Sequence, residues 1–188
     1  MPRAGLSTGA VVEAALAVVD EQGAAALTLA AVAARTGVAT PSLYKHVRSL
    51  EALQQLVSAA VTEQFAGVLE RAAAGRAGAD ALRAVAAAYR AYARELPGRY
   101  PFAQRVPDPA DPAHVSAGER AVGAIFAVLR GYGVAGEAAV DATRMLRSTL
   151  HGFVSLELAG GFGLPQSVDH SFDRLVDGAD AALRAWPG

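Results

Sequence analysis

Along nearly the whole chain, apolar side chains return every three or four residues, and capping residues, glycines or prolines interrupt them at intervals. That period places them on one face of a helix, whereas a half-buried strand would alternate them. Apolar residues make up 53% of the sequence, and many are alanine, the strongest helix former. Runs of β-branched or aromatic residues that would favour strands are scarce. The chain is therefore expected to be all-α, with about nine helices. Its 188 residues can bury a sizeable core as one domain or two small ones.

The punctuation predicts where the helices begin and end. Ser7 is a suitable N-cap for a first helix carrying Val12, Ala15, Leu16 and Val19, which Gly23 ends. Thr28 caps a short second helix that Gly37 breaks. A third starts near Pro41, capped by Thr40, with Leu43 and Val47 on one face. Ser49 and Glu51 open a long fourth helix along Leu53, Val57, Val61, Phe65 and Val68. Residues 71–80 are the expected linker, followed by helices near 82–96, 98–105, 114–131, 136–158 and 169–185.

Composition excludes several function classes. The chain has no cysteine, so disulfides, thiolate metal sites and a cysteine nucleophile are ruled out. No His or carboxylate pair has a familiar metal-ligand spacing, and neither a metal nor a cofactor is expected. No apolar run approaches the ~18 residues that span a bilayer, and the first residues lack the apolar stretch of a secretory signal, so a cytoplasmic protein without a membrane partner is expected. Net charge is −1 and decides nothing about nucleic acid. Arginines cluster at 71, 76, 83, 90, 94, 99 and 105, which ordinarily means a solvated basic face.

The stretch Leu27–Val47 is the most informative. It reads as helix, glycine turn, helix, with Gly37 free to take positive φ and Val38 filling the angle. If the second helix buries Leu43 and Val47, it leaves Thr40, Ser42, Tyr44, Lys45 and His46 outward. Lys45 is the sole lysine in the chain. Hydroxyls, a phenol, an ammonium and an imidazole on one short helix suit the donor and acceptor pattern of a DNA major groove. The same pattern also fits an ordinary helical hairpin with a polar outer face.

Residues 6–61 resemble the N-terminal domain of the tetracycline-repressor (TetR) family, through Leu27-Thr28, Ala33, Gly37-Val38 and Leu43-Tyr44-Lys45-His46-Val47. The resemblance implies that Thr28 meets a phosphate at a helix start, that Thr40, Pro41 and Ser42 face bases or sugar edges, and that Tyr44 and His46 touch phosphates. Lys45 would face a base or a phosphate. One departure stands out: where the family usually places a phosphate-holding lysine, at the start of the fourth helix, this chain has Leu50. Arg48 or the helix start at Ser49 would have to substitute, or the salt dependence of DNA binding would be shallower.

A second resemblance covers roughly 140–185. Leu150-His151-Gly152-Phe153, with Ser155-Leu156-Glu157, Gly161-Phe162-Gly163 and Ser171-Phe172, is similar to a ligand-sensing class marked by a His-Gly pair. It implies that the last two helices pair with their copies in a second subunit as a four-helix bundle. Leu150, Phe153, Val154 and Leu156 would face the partner from one helix. Phe172, Leu175, Val176, Ala179 and Leu183 would do so from the other. A dimer also suits paired half-sites about one turn apart. The expected division is 1–50 for DNA binding and 51–188 for sensing and dimerisation.

An apolar sensor pocket would be lined by Tyr89, Tyr92, Phe102, Ile125, Phe126, Met145 and Leu146, with Thr143, Arg144 and Arg147 as polar anchors. His151 is either a ligand or metal contact there or a residue hydrogen-bonded within the core or the dimer seam, and Gly152 beside it would allow close helix approach. His114 and His170, at helix starts, are expected to carry no chemistry. The expected function is a repressor that binds a palindromic operator as a homodimer and is released by a small-molecule effector. The alternatives are an interaction module of the same fold that has lost DNA contacts, for which Leu50 speaks, and a small helical enzyme using His151 and Glu157.

Overall fold

The computed structural model describes residues 6–187. Among them lie nine α-helices: α1 (Thr8–Gln22), α2 (Leu29–Thr36), α3 (Thr40–Leu43), α4 (Leu50–Ala73), α5 (Gly78–Glu95), α6 (Tyr100–Ala103), α7 (Pro112–Arg130), α8 (Gly136–Leu158) and α9 (Val168–Arg184). A 3-10 turn at Ala24–Ala26, not foreseen from the sequence, joins α1 to α2. No strand occurs among the described residues, and no helix there is long and apolar enough to cross a membrane.

Caps set most of the boundaries. Ser7 Oγ accepts the Ala10 N–H at 3.2 Å, Thr28 Oγ1 that of Ala31 at 3.1 Å, Ser49 Oγ that of Ala52 at 3.0 Å and Ser167 Oγ that of His170 at 3.2 Å. Each such cap stabilises its helix by ~1 kcal/mol. Gly23 and Gly37 close α1 and α2 at φ 85° and 69°, values that favour glycine. Two expected boundaries move. Thr40 is not a cap but the first residue of α3, because extended Ala39 turns the chain one residue earlier. The linker shrinks to residues 74–77, since Ala72 and Ala73 carry α4 further and α5 starts at Gly78.

Packing divides the chain into two compact units, one of residues 1–64 with 96–118, the other of 65–95 with 119–188. Residues 51–64 and 96–118 thus pack with the first fifty residues. In the first unit Val11, Val19, Val32, Leu43, Leu53 and Val57 are fully buried. Arg99 makes a bidentate pair with Asp20 at 2.7 and 2.6 Å and donates to Gln64 Oε1 at 2.8 Å, while Arg105 reaches Glu51 at 2.6 Å. Gly98 lies so close to α1 that a Cβ there would stand 2.2 Å from the Val19 carbonyl oxygen.

In the second unit α5, α8 and α9 pack on one another. Their shared core includes Leu82, Val85, Leu146, Leu150, Phe172 and Leu183. Arg90 of α5 lies within it, donating to Glu157 at 2.8 and 2.5 Å and to Asp169 at 2.7 Å. Its guanidinium carbon stands 4.7 Å from the centre of the Phe172 ring and 5.7 Å from that of Phe153. Its hydrogen bonds to Glu157 first, then that to Asp169, hold its proton more tightly than usual. Tyr132 donates to Asp180 at 2.6 Å, and burial together with that bond raises the phenol above its ordinary range.

Candidate nucleic-acid interface

The sequence builds the candidate surface from three short elements. Thr28 is exposed at the start of α2, with its oxygen already accepting an intrahelical N–H, which leaves the hydroxyl proton available to an outside acceptor. Glu21 and Arg35, paired at 2.7 Å through both arms, tie α2 to α1; the Arg35 hydrogen bonds lower the Glu21 carboxyl below its ordinary value. Gly37 reverses the chain, and Leu43 and Val47 anchor the next segment in the core at 0% and 3% exposure.

The second helix is shorter than its spacing predicts. Regular helix ends at Leu43, and Tyr44–His46 continue as a turn in which the His46 and Val47 N–H groups both donate to the Leu43 carbonyl, at 2.8 and 2.9 Å. Pro41, Tyr44, Lys45 and Arg48 are exposed, with Tyr44 54% accessible despite its large ring. Thr40, Ser42 and His46 are half-buried. Among the described residues Tyr44, Lys45 and Arg48 make no hydrogen bond or ion pair, so their polar groups are directed to solvent. At Leu50, half-buried, the helix start itself supplies polarity, because Ser49 caps it.

Family profiles match the chain twice. The bacterial regulatory proteins of the tetR family match residues 11–55, and the tetracyclin repressor-like C-terminal domain matches 82–179. A curated helix-turn-helix (HTH) transcriptional regulator of Mycobacterium tuberculosis, Rv0681, itself uncharacterised, is 43% identical over 82% of this chain and 72% of that protein. This chain belongs to the TetR family. As in the rest of that family, its role is that of a transcriptional regulator and not an enzyme, so the small-enzyme alternative falls.

A second uncharacterised HTH-type relative, YobS of Bacillus subtilis, is 34% identical over 82% of this chain and 81% of that protein. Two solved structures share the TetR fold at 22% identity and a TM-score of 0.73. One is a variant of TetR from Acinetobacter baumannii AYE in complex with minocycline, covering 98% of this chain and all of that one. The other is apo ActR from Streptomyces coelicolor, covering 97% and 96%.

The residues assigned to sensing and dimerisation are placed unevenly. Tyr89, Tyr92, Phe102 and Leu146 are buried, and Ile125, Phe126, Thr143, Met145 and His151 are half-buried. Thr143 Oγ1 is buried without a hydrogen bond. Arg144 and Arg147 are exposed on α8, and Arg144 pairs with Asp141 at 3.4 Å, so Arg144 faces solvent and not an enclosed pocket. Burial, and then the charge of Arg147, lower the basicity of His151. An open groove of about 420 Å³ lies between α5 and α9, bordered by Arg83, Arg90, Arg94, Asp173 and Asp177.

Of the residues expected to face a partner, Leu150, Phe153, Val154, Phe172, Val176, Ala179 and Leu183 are buried in the chain's own core, Leu175 is half-buried and Leu156 is 52% exposed. The greasy stripes of α8 and α9 already pack against α5 and each other. Their other faces carry small uncharged residues. On α8 these are Ser148, Gly152 and Ser155, continued by Ala159 just past its end; on α9 they are Ser171, Gly178 and Ala182 beside the larger Leu175, continued by Ala185 just past its end; all are exposed or half-exposed. A Cβ at Gly152 or Gly178 would meet nothing within 4 Å, so within the chain neither glycine serves a close helix approach. Sequence reasoning followed hydrophobicity and so missed this stripe; its signal is freedom from charge at a, d spacing.

Proposed function

We propose that this TetR-family regulator is a repressor that grips a palindromic operator as a homodimer and lets go when a small molecule binds. The observation that carries the DNA part is the exposure of Tyr44 and Lys45 on a segment fixed by the buried Leu43 and Val47. Residues 1–50 act as the reading domain, with Thr28, Thr40, Pro41, Ser42, His46 and Arg48 around that pair. Residues 51–188 sense and dimerise. Effector control is supported by proteins of the same fold that are known with small molecules, a TetR variant with minocycline and ActR with (S)-DNPA. An effector moves the equilibrium only through its different affinity for the DNA-bound and released forms. As a chromosome-binding protein it would work in the cytoplasm.

The test is a genomic operator selection with purified protein, followed by the same selection with Tyr44→Ala plus Lys45→Ala. Charge-assisted hydrogen bonds to phosphate contribute ~1.5–3 kcal/mol each. The double variant should therefore lose at least about tenfold in retention while keeping its helical content. Equal retention would favour the interaction module that no longer reads DNA.

The homodimer rests on the uncharged stripes of α8 and α9. Surface substitutions in a lone chain usually change stability by less than ~0.5 kcal/mol. Ala182→Glu, at an exposed position, should therefore leave the fold intact yet place a carboxylate against its own copy. Light scattering should show a monomer, and operator retention should fall with it. A variant that stays dimeric removes this face from the interface.

A further inference from the structure

Ser58 and Thr62 lie one turn apart on α4 and are buried, at 0% and 5% exposure, where the helical spacing calls for apolar side chains. Facing them is His114, in the first turn of α7 and fully buried. Its Nε2 stands 3.4 Å from Ser58 Oγ and 3.3 Å from Thr62 Oγ1. Ser58 Oγ donates its proton to the Phe102 carbonyl of α6 at 2.8 Å, so toward the imidazole it can only accept. That chemistry selects the neutral ring with its proton on Nε2. Nδ1 is then a bare lone pair, buried and without a hydrogen bond.

A buried lone pair without a donor is tolerable; a buried N–H without an acceptor is costly, and a buried charge more so. The α4 groups within hydrogen-bonding distance of the ring are the Ser58 and Thr62 hydroxyls, and α6 joins through the Phe102 carbonyl that Ser58 holds. The charged groups around it come from the segment ahead of α7. Asp111 and Asp108 favour a proton, Arg105 opposes it, and burial outweighs both carboxylates, lowering the basicity of the ring. The Asp111 carboxylate is also engaged, capping α7 through the Ala113 and His114 N–H groups at 3.1 Å.

We propose that His114 is a proton-sensitive tie: neutral, it fastens α6 and the start of α7 to α4 within the unit that carries the reading head, and on taking up a proton it loosens that unit. The sign follows from linkage. A histidine less basic in the folded chain than its ordinary value of 6.5 takes up its proton more readily when unfolded. Its full contribution is present above about pH 6.5 and is lost as pH falls from there toward the folded value.

The experiment is urea unfolding of the full chain at about pH 7.5, 6.5 and 5.5, beside His114→Gln, whose amide nitrogen reaches the same hydroxyls but does not titrate. His46, His151 and His170 are common to both and cancel. The unfolding constant of the wild type should rise relative to that of the variant by up to tenfold per pH unit below about 6.5. Nitrogen-15 NMR of the wild-type ring gives an independent readout and covers the case of a variant that does not fold. It should show a proton on Nε2 and a ring still neutral where a free histidine is charged. Equal pH slopes, or an imidazole titrating near its ordinary value, would overturn the tie. Operator retention should fall over the same pH range. If no DNA is held even at about pH 7.5, the operator reading fails while unfolding and NMR still judge the tie.

Discussion

Replacing Arg90 with alanine will lower the stability of the chain by up to about 3–5 kcal/mol, because Glu157, in the interior, loses both guanidinium hydrogen bonds and keeps Arg94, whose Nε stands 3.9 Å away, as a looser partner. The two side chains are only 10% and 15% exposed, and Glu157 takes both of its short hydrogen bonds from this guanidinium. Asp169, 74% exposed, will return to water at little cost, so the loss belongs to Glu157 and to the Phe153 and Phe172 rings that flank the cation. For a chain of this length the melting temperature should fall by about 6–20 °C. Arg90→Met together with Glu157→Leu should recover much of it, since a buried pair replaced by apolar residues of similar volume is often neutral. A single variant that melts within a degree or two of the parent would show that the pair is solvated in practice.

Gly98→Ala should be the most damaging small change in the first unit. Its Cβ would lie 2.2 Å from the Val19 oxygen and 3.1 Å from the Val19 carbon, both backbone atoms that no rotamer change can remove. The Val19 oxygen also accepts the Gly23 N–H at 2.9 Å, so displacing it disturbs the end of α1. The neighbouring Arg99–Asp20 pair would shift with it. Overpacking of this kind costs ~1–3 kcal/mol, and here the fixed backbone puts the effect at the upper end. Gly123→Ala is the control. It sits within α7 with nothing inside 4 Å of the new carbon, so it should be neutral or stabilise by ~0.5–1 kcal/mol. Urea midpoints for the pair decide it: similar values would mean that the 96–100 turn moves freely from α1.

These two sites were opaque in the sequence, and the reason is physical. The reading head could be found because its signals are local: Thr28 caps, Gly37 takes positive φ, and Leu43 with Val47 are four residues apart. Arg90 looked like one member of a solvated arginine series. Only folding brings it to Glu157 and Asp169, sixty-seven and seventy-nine residues away. His114 was read as an idle helix-start residue for the same reason, with Ser58 and Thr62 more than fifty residues distant. The outward faces of α8 and α9 failed differently. Hydrophobicity marks the stripe a chain buries for itself, and most of the partner-facing candidates chosen by it lie in that stripe, Leu156 and Leu175 apart.

Lys45 carries the chain's single side-chain amine, exposed beside Tyr44 on the segment that would enter the groove. An acyl group placed there, by a reagent or by a cell, would erase the charge and add bulk at one defined point. Amine-directed labelling would therefore test the proposed groove contact without a mutation, since a bound duplex should shield that nitrogen from the reagent.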